Sequence, residues 1–201
     1  MNPDRDYQGP PIDDFETLAR LSNDLADLLS RVNGFVRYGG GLHVRGACQG
    51  PDWHSLRHAW DGEDALHRLY PGIVRPDDIP FGEDYLGDQF LLREGRVWNL
   101  GAETGDLDEL GIGLAAFLAK VEADPVPSLD MEPLVMFEEE GGLLEPGELL
   151  AADPPFSTDE PIDAIDLRPV ANLERRRSLA DLAAQFGGRV EPPSTPPGPT
   201  D

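Results

Sequence analysis

Between Phe15 and Val32 the apolar residues Phe15, Leu18, Leu21, Leu25, Leu28, Leu29 and Val32 recur at three- and four-residue intervals, the spacing of one buried helical face. Asp13 or Asp14 caps this helix, and Asn33-Gly34 stops it, because both residues tolerate a left-handed cap. Leu42-His43-Val44 has strand-like composition, and a short helix is expected over 62–69. Gln89 to Arg93 and Arg96 to Leu100 read as two strands joined by the two-residue turn Glu94-Gly95. Ile79 to Asp88, acidic and glycine-rich, reads as the loop that leads into them.

A second amphipathic helix is expected over Leu107 to Val121, with Leu110, Leu114, Phe117, Leu118 and Val121 as its apolar face; Gly111 and Gly113 weaken its start. Pro125-Val126-Pro127 marks a boundary. Beyond it Leu134 to Phe137 resembles a short strand, Asp153 to Pro161 an extended proline-rich segment, and Ser178 to Phe186 a last helix closed by Gly187-Gly188. The expected organisation is a leader (1–12), a first domain (13–124), an acidic C-terminal extension (125–188) and a disordered proline-rich tail (189–201).

Charge changes this picture most. The 201 residues carry 39 Asp and Glu against 16 Lys and Arg, a formal net charge of -23. Such a surface repels phosphate backbones and anionic membranes and attracts basic proteins. Between Pro125 and Gln185 there are 14 acidic and 4 basic residues, three of the latter being Arg175-Arg176-Arg177, expected to pair internally and hold the last helix. The single cysteine, Cys48, excludes an intramolecular disulfide and fits a reducing cytoplasm. No secretory signal or membrane span is visible, so the expected location is cytoplasmic.

Motifs for catalysis are weak. Gly39-Gly40-Gly41 is followed by Leu42-His43, not by the Lys and Ser or Thr of a phosphate loop. His54 and His58 have the spacing of some zinc sites, but lack the intervening HExxH glutamate and a nearby cysteine. No metal, cofactor or catalytic residue is assigned.

The words Val32-Asn33-Gly34-Phe35, Gly39-Gly40-Gly41, Ile79-Pro80-Phe81-Gly82, Gly87-Asp88-Gln89-Phe90, Gly95-Arg96-Val97 and Glu103-Thr104-Gly105 occur in this order after a leading helix. In this order they resemble the SUKH superfamily, in the branch of the yeast cell-wall-synthesis regulator and its bacterial relatives, over about residues 15 to 122. The resemblance implies an α+β fold, a curved, mainly antiparallel sheet flanked by helices, and no enzymatic activity. It further implies an immunity protein that binds a cognate toxin domain, possibly a nuclease. The alternative it implies is a regulatory or scaffold protein of a secretion or cell-envelope assembly. The segment 46–62 and the extension from Pro125 depart from the family pattern.

For such a partner the expected contacts are Asp77, Asp78, Glu83 and Asp84 as charges, with Trp53, Trp60 and Tyr85 as aromatic anchors. Asp88 is expected to accept backbone hydrogen bonds and fix its loop.

Overall fold

Seven strands follow one another across an antiparallel sheet: β1 (Tyr7–Gln8), β2 (Phe35–Arg37), β3 (Leu42–Val44), β4 (Ile79–Asp84), β5 (Gln89–Arg93), β6 (Arg96–Leu100) and β7 (Leu107–Glu109). The protein, in a computed structural model, is described over residues 6–158 and 164–186 and in the backbone of 190 and 191. There β10 (Val190–Glu191) adds a parallel strand beside β7. Expectations for the first five residues, Glu160-Pro161, Gly187-Gly188 and the tail from Pro192 lie outside the described residues.

The helices are α1 (Phe15–Ala19), α2 (Asn23–Arg31), α3 (Leu56–Asp61), α4 (Leu66–Leu69), α5 (Leu114–Ala123), α6 (Pro125–Ser128), α7 (Glu132–Glu139) and α8 (Asn172–Phe186). Strands β8 (Glu148–Asp153) and β9 (Asp166–Ala171) form a separate antiparallel ribbon. The fold is α+β with a mainly antiparallel sheet, the class that the resemblance implies.

Alternation along β5 shows how the sheet is sandwiched. Phe90 and Leu92 join the larger core with Phe81, Val97, Leu25, Leu29 and Phe117, while Leu91 joins a second core with Leu66, Leu100, Leu107, Ala180 and Ala183. Glu94 and Gly95 both have positive φ, 52° and 78°, so the expected two-residue turn joins β5 to β6.

Four local expectations are corrected. The first helix is two: Asp14 caps α1 by accepting from the Thr17 amide, and Ser22, in extended backbone, starts α2; Phe15 is 69% exposed. Ser22, Asn23 and Asp24 favour a new helix start over continuation. Leu107–Glu109 is a strand, because Gly111 takes φ +70° and Gly113 is extended, which delays the helix to Leu114. Residues 134–137 are helical, since Pro133 pre-sets the first turn of α7 and four apolar residues are too few to distinguish strand from helix. Ile79–Asp84 is an internal strand, not a loop: Pro80 sits at a register irregularity, and a Cβ at Gly82 would lie 2.7 Å from the His43 carbonyl oxygen.

The leader also takes part, through β1 and the hydrogen bond from the Gly9 amide to Gly34 O; β10 likewise lies in the stretch expected to be disordered. The extension packs on the first domain. Leu129, Met131, Leu134, Leu144 and Leu150 belong to the larger core. Arg175 reaches Glu103 at 3.2 Å and Arg177 makes two hydrogen bonds to the Asp64 carboxylate. The arginine triplet does hold the last helix in place.

The docking of α8 generates a local test. Gly87 has φ +100°, and a Cβ there would lie 2.7 Å from Leu179 Cδ1; Gly72, at φ +82°, faces open space. Gly72→Ala should cost about 1–2 kcal/mol from backbone strain, and Gly87→Ala roughly 1–3 kcal/mol beyond that. Urea unfolding of the two variants measures the difference.

Candidate functional site

Of the expected partner contacts, only Asp77 is exposed. Asp78 is 1% exposed and accepts two hydrogen bonds from Arg93, each 2.7 Å, and one from the Arg75 amide. Tyr85 is buried and donates to Asp130 O at 2.6 Å. Trp60 is buried, donates Nε1–H to Pro76 O, and carries the Arg20 guanidinium 4.1 Å above its ring. Trp53 is half-buried between Tyr7 and His43. Glu83 and Asp84 are buried too. The reading of Asp78, Glu83 and Trp60 as surface contacts is therefore corrected, because β4, the proline-flanked turn before it and α3 turn them inward; Asp84 and Tyr85 are buried too but line a cavity, and Trp53 keeps partial exposure.

Glu83 is the centre of a polar row across the sheet. His43, Glu83 and Gln89 stand opposite one another on β3, β4 and β5. Oε1 of Glu83 accepts from Asn172 Nδ2 at 2.7 Å and meets His43 Nδ1 at 2.8 Å. Oε2 accepts from Arg45 at 2.6 Å and from Gln89 Nε2 at 2.8 Å. Burial alone would raise the carboxyl, but Arg45 and His43 outweigh it and hold it well below the usual range. His43 Nε2 meets His54 Nδ1 at 2.9 Å, and His54 Nε2 donates to Asn33 O at 3.1 Å. Burial pushes His54 down to about 4, so at neutral pH its ring is uncharged and accepts at Nδ1. His43 then donates from Nε2, and its Nδ1 lies 2.8 Å from Glu83, while burial pushes the pKa of the His43 ring down against the pull of that carboxylate. Every nitrogen of both rings is committed internally. His58 lies on α3 and His54 before it, so the two do not share a helical face. Cys48 is fully buried, and burial raises its thiol to about 11.

On the other side of β4 a cavity of about 330 Å³ opens between the Asp84–Asp88 turn, strand β6, the 110–112 segment that follows β7, and helices α5 and α6. Phe90, Ile112, Phe117 and Leu129 line it, with Leu110, 39% exposed, among the exposed lining residues. Its charged lining is Asp84, Asp88, Asp130 and Lys120. Asp84 Oδ1 accepts from the amides of Leu86, Gly87 and Asp88 at 2.9–3.0 Å, leaving Oδ2 without a donor among the described residues. Asp88 Oδ1 accepts from the Ala102 amide at 2.8 Å, and its Oδ2 is likewise without a donor there. Asp84, rather than Asp88, fixes the turn, and Asp88 pins the next one. Asn99 Oδ1 is buried without a partner. A second cavity, about 270 Å³, shares Leu86 and Asp88 with the first and adds Glu103, Thr104 and Phe156.

The cleft thus joins apolar walls to carboxylates that burial has made reluctant to ionise. Burial and then Asp88 push Asp84 well above its ordinary value; burial and then the nearby Glu103 push Asp88 up to about 6, against the pull of the Ala102 amide. Charge arrangements of this kind concentrate at functional sites. The sequence drew attention to Asp84 but not to Asn99, Phe117, Lys120 or Asp130, which are distant along the chain and belong to no motif. Among the described residues, no group of three or more His, Cys, Asp or Glu side chains is placed to hold a metal ion, and no helix is long and apolar enough to cross a membrane.

Asp88 yields a pH prediction. Its folded pKa lies above its unfolded value, so its contribution to stability is fully present below pH ~4 and is lost as pH rises through about 6. The groups that set this balance beside burial are Glu103 and Asp130, which oppose ionisation, and the Ala102 amide and Arg175, which favour it. Asp88→Asn keeps an acceptor for the Ala102 amide. It should be more stable than the parent by about 1–3 kcal/mol at pH 8, with the difference closing below pH 4 in urea titrations. By contrast Glu83→Leu strands Arg45 and should cost about 3–5 kcal/mol at neutral pH.

No protein-family model matches the chain, and no curated protein matches it. The resemblance to the SUKH superfamily rests on the residues that carry it.

Proposed function

We propose that this chain is a non-enzymatic protein-binding module, an immunity-type protein that binds and neutralises a basic toxin domain such as a nuclease. The observation that carries the reading is the cleft beside the Asp84–Asp88 turn: apolar walls, carboxylate oxygens without donors, and a chain with net charge -23. A surface that binds nucleic acid or another polyanion must be cationic, and so must a domain that this chain recognises by charge. An acidic protein of matching shape finds such a domain rapidly and covers it. The resemblance to SUKH immunity proteins points to the same role. Exposed acids outside the cleft, Asp77 among them, steer the encounter, while the cleft supplies the desolvated contacts that hold the complex.

Co-expression with the product of the neighbouring gene tests this function. The expected result is co-purification of a complex and protection of the host from that product's toxicity. Absence of both defeats the proposal. Asp77→Lys should slow association severalfold at low salt and have little effect at high salt, because an exposed charge acts mainly through the encounter rate. Stopped-flow mixing at two ionic strengths measures it.

A further inference from the structure

Asp84 and Asp88 line one cavity whose walls include Phe90 and Phe117, and each keeps a carboxylate oxygen without a donor among the described residues. We infer that this cavity is a receptor for an arginine side chain carried on an extended segment of a partner protein. The inference rests on the partner-binding function proposed above and assigns the chemistry that its cleft recognises.

The first argument is charge complementarity. Three carboxylates line the cavity against one ammonium, that of Lys120, which is exposed on α5. A cation that enters offsets the repulsion by which Asp88 disfavours the ionisation of Asp84. The second argument is shape. A cavity of about 330 Å³ with aromatic and aliphatic walls suits a long side chain whose stem is apolar and whose end is charged. Guanidinium fits better than ammonium, because its planar fork can donate to more than one oxygen while its face rests on an aromatic ring. A hard divalent cation is a poorer match, since it takes six or more oxygen ligands and the walls are largely apolar.

The third argument is continuity. The second cavity, about 270 Å³, meets the first at Leu86 and Asp88. A segment that places arginine in the first chamber therefore crosses Leu86 and can place a neighbouring side chain against Phe156 in the second. This makes the recognised unit a short extended stretch of polypeptide, not a free amino acid.

The test uses the full chain and a pair of pentapeptides with blocked ends, identical except that the central residue is arginine in one and citrulline in the other. Citrulline keeps the shape and removes the charge. Binding is followed by backbone and side-chain amide NMR shifts, with affinity taken from the titration. The arginine peptide should bind at least tenfold more tightly, with shifts concentrated at Leu86, Asn99, Leu110 and Ile112. Asp88→Asn should reduce that affinity at least tenfold. Leu110→Trp, at an exposed position in the lining, should block entry while leaving both carboxylates and the core untouched, and so guards against misfolding of the first variant. Equal binding of the two peptides, no binding, shifts elsewhere on the protein, or affinity unchanged in both variants overturns the inference. A basic partner that binds parent and Leu110→Trp equally well defeats this inference and leaves the proposed function standing. Arginine-selective binding without any neutralised partner does the reverse.

Discussion

The Glu83 carboxylate is the contact on which the rest of this structure depends. An ionised carboxylate removed from water costs several kcal/mol unless its lone pairs are filled. Here four side chains fill them, from β3 (His43), from the residue following β3 (Arg45), from β5 (Gln89) and from the first residue of α8 (Asn172). Arg45, fully buried, is tied in turn to Pro80 O and Gly82 O of the same strand. Removing Glu83 leaves all four side chains desolvated and short of an acceptor, so the group behaves as a unit. Because Asn172 lies 89 positions after Glu83, this unit joins the C-terminal part of the chain to the middle of the sheet.

Strand alternation carries that constraint to the cleft. Successive residues of β4 point to opposite faces, so Glu83 turned toward α8 leaves Asp84 on the side of α5 and α6. The turn that Asp84 fixes then presents Leu86 and Asp88 between the two cavities, while Leu179 of α8 packs close to Gly87 behind it. One strand therefore supplies both the internal weld and the floor of the candidate site. The side facing α8 holds both oxygens of Glu83 on four side chains, although Arg45 Nε and Asn172 Oδ1 stay buried without a partner among the described residues, while the cleft side keeps carboxylate oxygens without donors there.

Much of this was legible in the sequence, and the failures have common causes. The Glu94-Gly95 turn, the two strands beside it, the helical face of Leu25 and Leu29, and the anchoring role of Arg175 to Arg177 follow from local spacing and charge. What local reasoning misread was burial of charge. Asp78 and Glu83 look solvated because carboxylates usually are, and their partners, Arg93 for Asp78 and Arg45 and Asn172 for Glu83, lie 15, 38 and 89 positions away with no motif to announce them. Pro80 and Gly82 similarly suggested a loop, whereas both are accommodations inside a strand. The cleft was hidden for the same reason: α5, α6 and the Asp84–Asp88 turn meet only in three dimensions.

The most direct test of this account is native-state hydrogen exchange across α8 and β4 in increasing sub-denaturing urea. If Glu83 joins the C-terminal helix to the sheet as one cooperative unit, the most protected amides of both elements should share one opening free energy, equal to that of global unfolding. Exchange of the α8 amides through a separate, lower-energy opening, with β4 still protected, would contradict it.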